Sequence, residues 1–455
     1  MSKNQTSSIV VILGFTLFAL FFGAGNLIFP VMLGQMSGTN VWIAVAGFIV
    51  TGVGLPLLGV LAFSFAGSGD LRTISNRVHP VFGLVFTTTL YLAIGPLFAI
   101  PRTGTVSYEV GIKPFITNVD SPVPLAIFTV LFFGITCYFS LNSSKIVDLM
   151  GKVLTPLLLT SISILIITAL LNPVNRLYAP VDSFEKSAFF KGFQEGYLTM
   201  DALASFVFGI FIIQAIREKG ITEKKQAMVI SLKAALLAAA LLAIIYASLA
   251  YIGAGSVATL GYLENGGLVI SRVAELYFGS FGQLLLGGIV VAACLTTSVG
   301  LITSCASYFH QLIPAVSYRK FAILFSLLSG IFANVGLTEL ISISVPVLTT
   351  IYPVAIVLMV LVFLNRFIDG KSNIYLTSIV FTLFVSIFDG LTAAEIHFPV
   401  INHLFSEWLP LYDVGLGWTL PAIIGGLIGS LIEWIKSKKH FQYKGITIQK
   451  NTSYK

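Results

Sequence analysis

Along this chain, apolar residues run almost unbroken for 18 or more positions at a time, and polar residues gather in the short gaps between. Twelve such runs can be marked, near 9–35, 41–66, 81–108, 123–141, 146–171, 189–216, 226–253, 282–309, 319–336, 338–364, 374–394 and 414–435. A helix needs about 20 residues to cross a hydrocarbon core of about 30 Å, whereas a tilted strand needs only about 9–11. The runs are long and do not alternate, so the pattern predicts twelve membrane-spanning helices and excludes a barrel. An even number of spans places both termini on one side.

Several runs carry helix breakers. The first holds Gly23, Ala24, Gly25, Asn26 and Pro30; the third holds Gly95, Pro96 and Pro101; the tenth holds Pro346 and Pro353. A lone Gly lets helices approach and a lone Pro kinks one. Two glycines and an asparagine at one depth instead predict a broken helix, which lipid tolerates only where protein or a water-filled cavity supplies partners for the freed backbone groups.

Composition agrees with a membrane protein. Of the 455 residues, 56% are hydrophobic and 10% charged, against about 25% charged in soluble domains, and the mean hydropathy is +0.95. Cys137, Cys294 and Cys305 all fall inside apolar runs and read as small core residues rather than a disulfide framework. The charge is +7, and its distribution matters more than its size. With the N-terminus in the cytoplasm, 20 of the 26 basic residues fall on the cytoplasmic side, among them Arg72, Lys145, Lys225, Lys320 and six lysines in the tail 436–455. That asymmetry sets the expected orientation, both termini inside, and explains the excess charge by the anionic inner leaflet, with no nucleic acid partner.

The span centres hold the candidate chemistry. The first carries Gly23-Ala24-Gly25-Asn26, the sixth Thr199-Met200-Asp201, and the eighth Ala293 to Ser298 with Thr296 and Thr297 adjacent. Asp201 is the acidic residue near a span centre, where an Asp costs at least about 2.5 kcal/mol to insert. Two readings of it stay open: a functional carboxylate, and an N-cap for the second half of a broken sixth helix. For Thr296 and Thr297 the choice lies between back-bonding to their own helix and offering oxygens to a hard cation beside the carbonyls of an unwound first helix. No GxxxxGK[ST] loop is present, GAGNLI lacks the third glycine of a dinucleotide fingerprint, and the five histidines lack metal-ligand spacing.

The segments FALFFGAGNLIFP, TGVGLPLLGV, LYLAIGPLFAIPRTGTVSYE and GYLTMDALASFVFG strongly resemble the branched-chain amino acid:cation symporter family, the LIV-II type carriers of bacteria. The resemblance covers nearly the full chain. It implies a symporter, not an enzyme, that takes up leucine, isoleucine and valine across the cytoplasmic membrane, coupled to sodium or alternatively to protons, with no organic cofactor. It also implies one transmembrane domain over 1–455 resembling the bacterial leucine transporter: spans one to five (about 9–171) and six to ten (about 189–364) as an inverted repeat, with the first and sixth helices broken and spans eleven and twelve (about 374–435) peripheral.

Residue by residue, the same resemblance implies that the backbone amides of Ala24 and Gly25, between Gly23 and Asn26, contact the substrate carboxylate. Sodium would lie among the carbonyls of Ala19, Phe22 and Ala293 with Thr296 and Thr297. Asp201, with the carbonyls of Thr199 and Met200, would meet the substrate ammonium or carry a proton. Arg102 and Glu109 lie seven apart on one helix face; an outer gate, a simple interfacial pair, and carboxylate binding by Arg102 all remain open. The rival classes are a passive facilitator or channel, disfavoured by polar points isolated among Phe and Leu, and a membrane-embedded enzyme, which Asp201 alone does not equip.

Overall fold

Apolar runs of this length satisfy their backbone groups internally only as helix, and no strand occurs among the described residues of the computed structural model, which are 3–66, 71–116, 121–141, 146–172, 176–181, 183–221 and 223–452. Lys145 and Lys455, two of the basic residues assigned to the cytoplasmic side, lie outside them.

The first expected span is two helices, α1 (Lys3–Phe21) and α2 (Ala24–Ser37). The second is α3 (Val41–Ile49) and α4 (Leu55–Ala66), joined by a wider π turn at Val50–Gly54. After the short α5 (Leu71–Ser75), the third is α6 (Pro80–Leu92) and α7 (Ala99–Gly111), kinked at Gly95, whose ψ of −128° is not helical. The fourth and fifth are α8 (Val123–Leu141) and α9 (Ile146–Leu171), with the expected bounds. The sixth is broken into α10 (Ser183–Glu195) and α11 (Asp201–Glu218), and the seventh is α12 (Lys224–Leu260). The eighth lies in α13 (Gly266–Leu312), which turns at Gly279 with φ 65°. Then follow α14 (Tyr318–Ala333), α15 (Leu337–Ile368), α16 (Ser372–Ala393), the short α17 (Pro399–Trp408) and α18 (Thr419–Thr452). Pro346 and Pro353 do not break α15.

Among the described residues, eight helical stretches are long and apolar enough to cross a membrane, and Ser7–Phe21 and Pro156–Leu171 are shorter apolar helices. The sixth expected span is not among the eight because its break leaves α10, of 13 residues, and α11, whose 18 residues include Asp201, Arg217 and Glu218; α14 has only 16 residues.

The chain divides into two compact units, Met1–Gly67 with Thr88–Leu348, and Ser68–Thr87 with Thr349–Lys455. In the first, Phe18, Phe48, Phe206 and Tyr246 are fully buried, with the Phe48 ring edge-on to Tyr246. Close helix approach there depends on glycine. A Cβ on Gly34 would strike the Ala250 carbonyl, one on Gly253 the Val31 carbonyl, and one on Gly266 the Ile28 carbonyl, so α2 packs backbone to backbone against α12 and the start of α13. Gly47 and Gly192 play the same part between α3 and α10. By contrast α8 leaves Val130, Leu131 and Tyr138 exposed, as a helix facing hydrocarbon does. In the second unit α16 packs along α18, with Gly425 and Gly429 against Thr377.

Candidate functional site

The two predicted breaks meet. At the first, the Phe22 N–H still donates to the Phe18 carbonyl at 2.8 Å, but Gly23 is extended (φ −116°, ψ −163°) and α2 starts afresh at Ala24. The Gly23 N–H donates to Asn26 Oδ1 at 3.0 Å. That bond orients the amide, leaving Asn26 Nδ2 to donate to Asp201 Oδ2 and to Tyr246 Oη. At the second break, the chain tightens into a 3₁₀ turn at Gly196–Thr199, Met200 is left-handed (φ 62°, ψ 7°), and α11 begins at Asp201. The Asp201 N–H donates to Thr199 Oγ1 at 3.3 Å, and Tyr246 Oη donates to Asp201 Oδ2 at 3.2 Å.

The cap reading of Asp201 is therefore corrected. Met200 occupies the cap position and Asp201 is the first helical residue. Its carboxylate joins three elements: α2 through Asn26, its own α11, and α12 through Tyr246. Asn26 and Asp201 are 2% and 4% exposed.

Arg102, on α7 and 2% exposed, completes the constellation. Its Nη1 donates to the Leu198 carbonyl at 2.5 Å, and its guanidinium lies 4.8 Å from the centre of the Phe29 ring. It lines the same cavity as Asp201. A Cβ on Gly25 would come within 3.2 Å of Arg102 Nη1, so the absence of a side chain there makes the slot for the guanidinium. The Arg102–Glu109 pair allowed for as a gate is not formed: Glu109 instead pairs with Lys113, one turn on, at 2.9 Å. Seven residues put the two side chains on one face, but two turns of rise separate them by about 10 Å, and each has a nearer partner.

Asn26, Arg102 and Asp201 line a cavity of about 50 Å³ whose wall also includes Gly23, Gly25, Phe208 and Thr297. Two helices, α2 and α11, start at it, so unpaired amides and the positive ends of two helix dipoles face one small space. Phe21 and Phe208, ring centres 5.7 Å apart and edge to face, close its apolar side with Leu301 and Ile94.

The eighth-span residues sit on α13, where Ala293, Thr296 and Thr297 are half-buried. Both hydroxyls donate to the Ala293 carbonyl, at 2.6 and 3.1 Å, the back-bonded arrangement allowed for above. The Thr297 methyl lies 3.6 Å from where a Gly23 Cβ would be, which brings this helix against the first break, where Ala19 lies in the last turn of α1 and Phe22 follows its end at Phe21.

Tyr246 is the site residue that the sequence reading passed over. Its signal was present: a tyrosine in the middle of the apolar stretch LLAIIYASLA has a hydroxyl that needs a partner once buried.

The profile of the branched-chain amino acid transport protein family matches residues 6–436. The chain is similar to branched-chain amino acid permease BrnQ of Bacillus subtilis, at 55% identity over 96% of this chain and 100% of that protein. Permease BraB of the same organism is 48% identical over 93% of this chain and 95% of that one. The branched-chain amino acid transport system 2 carrier protein of Pseudomonas aeruginosa is 42% identical over 94% and 96%. Among solved structures, Mhp1, a nucleobase-cation-symport-1 family transporter, aligns with a TM-score of 0.60 at 15% identity over 93% of both chains. MhsT in complex with L-phenylalanine aligns with a TM-score of 0.51 at 17% identity over 92% of this chain and 98% of that one. At these identities the likeness shows the fold, that of the leucine-transporter class.

Proposed function

Because the chain belongs to the branched-chain amino acid transport protein family, we propose that it imports leucine, isoleucine and valine across the bacterial cytoplasmic membrane by sodium-coupled alternating access, with both termini cytoplasmic. It is a branched-chain amino acid transporter; the coupling ion, the direction and the site residues are the proposal.

The observation that carries the reading is that two buried residues of opposite charge, Arg102 and Asp201, line one cavity at which two helices begin. A free amino acid is a zwitterion with the same two charges. In this assignment Arg102 and the amides of Ala24 and Gly25 hold the carboxylate. Asp201 and the carbonyls of Thr199 and Met200 hold the ammonium. Phe21 and Phe208 face the branched side chain. The cavity of about 50 Å³ is smaller than the roughly 300 Å³ at which small-molecule pockets begin, so binding requires the lining helices to part.

Sodium is assigned to the carbonyls of Ala19, Phe22 and Ala293 with Thr296 and Thr297. A hydroxyl that donates to Ala293 keeps its lone pairs for a cation, so the back-bonded geometry is compatible with this role. Coupling follows if the ion binds more tightly to the conformer that binds the amino acid, since a ligand without such a preference shifts no equilibrium. Proton coupling is the second reading, favoured by the buried carboxylate of Asp201 and its two donors.

Leucine uptake into proteoliposomes holding the purified chain tests the proposal, with a sodium gradient, a proton gradient and neither. Accumulation driven by sodium alone is expected. A proton-only response would move the coupling role to Asp201 or Glu109. Equilibration without a gradient would make the chain a facilitator.

A further inference from the structure

The Asn26–Asp201–Tyr246 junction has a feature that the transport assignment does not use. Asp201 Oδ2 accepts from both Asn26 Nδ2 and Tyr246 Oη, and Asn26 Nδ2 also donates to Tyr246 Oη. Tyr246 is fully buried and stands on α12, a helix with no break between Lys224 and Leu260. Asn26 and Asp201, in contrast, each sit in the first turn of a helix that has just restarted. A side chain at such a restart is aimed by whatever it bonds to, because the turn before it is not helical and does not fix it.

We propose that Tyr246 is a positioning residue for substrate recognition: its hydroxyl, held on an unbroken helix, fixes the Asp201 carboxylate so that the oxygen not engaged by the two donors meets the ammonium of the amino acid. A carboxylate has about four lone-pair sites, and Asn26 and Tyr246 use two of them, both on Oδ2, so the group retains capacity toward the cavity it lines. Tyr246 does not line that cavity and touches no substrate in this arrangement; it acts through Asp201. The inference rests on the assignment of the ammonium to Asp201.

The test is Tyr246→Phe, which removes the hydroxyl and keeps the ring edge-on to Phe48 at 5.5 Å. Leucine uptake is measured in proteoliposomes beside inhibition by 4-methylpentanoate, which is leucine without its amino group. A hydrogen bond to a charged group is worth about 1.5–3 kcal/mol, so the leucine KM should rise about tenfold or more with the maximal rate largely kept. The inhibition constant for 4-methylpentanoate should stay within about twofold, because that ligand has no ammonium to misplace. An unchanged leucine KM would overturn the proposal. So would a parallel loss for both ligands, which would make Tyr246 a general packing residue. A variant chain that fails to fold would likewise assign the hydroxyl to stability and overturn it. Absence of leucine uptake by the unmodified chain would instead overturn the transport assignment on which the inference rests.

Discussion

Asp201 is the acidic side chain in the wall of the candidate cavity. It sits at a span centre, buried, and ties two helix breaks to α12. Asp201→Asn keeps an oxygen that can accept from Asn26 and Tyr246 but removes the charge, so folding should be retained while leucine transport falls at least about a hundredfold, the loss expected when a buried charge faces no counter-charge. Uptake by this variant at matched membrane abundance checks it; near-normal transport would reduce Asp201 to a structural knot. Thr297→Ala should behave differently. It removes one of five assigned oxygens, so the sodium concentration for half-maximal uptake should rise several-fold, about the effect of losing one interaction of 1 kcal/mol, with a smaller change in maximal rate. A sodium titration of uptake reads this, and an unaltered midpoint would count against the eighth-span ion site. Both residues stood out from the sequence because polar atoms are scarce at span centres. Tyr246 did not, because a tyrosine is an ordinary member of an apolar run until its hydroxyl is seen to have an acidic partner.

Among the helices, the breaks were legible and their consequences were not. GAGN marked where the first span fails, the cap reading of Asp201 and the family resemblance implied the break in the sixth, and Gly95-Pro96 marked the third. Pro346 and Pro353 had the same appearance and break nothing, since α15 continues from Leu337 to Ile368. A proline removes one donor and crowds one carbonyl; whether the helix stops there depends on whether neighbours restore the lost partner. Close approach between helices follows the glycines more faithfully. Gly34 abuts the Ala250 carbonyl with no room for a Cβ, so Gly34→Val must push α2 away from α12. Overpacking of this kind costs about 1–3 kcal/mol, and here it also displaces Asn26 from Tyr246. The expected outcome is a lower midpoint of thermal unfolding in detergent together with impaired leucine uptake; an unchanged midpoint would mean that the contact is not tight.

For the molecule as a whole, the sequence by itself determined that the chain is helical and membrane-embedded, and set an expected orientation through its lysines and arginines, because each of these follows from summed properties that do not depend on which helix touches which. Run length sets the spanning element, and the positive charges of loops respond to the membrane as individual groups. The candidate carboxylate, the broken helices and the membership of a transporter family were also within reach, since rare residues at span centres and long specific motifs are local facts. What only the tertiary structure decided is the pairing. It gave Arg102 the Leu198 carbonyl and gave Glu109 to Lys113, set Met200 rather than Asp201 at the helix cap, and brought Tyr246 to a carboxylate 45 residues earlier. The physical reason is that a buried polar atom must find a partner, and sequence names the atoms that need partners, while the choice among them depends on distances of a few ångströms fixed by how the helices pack.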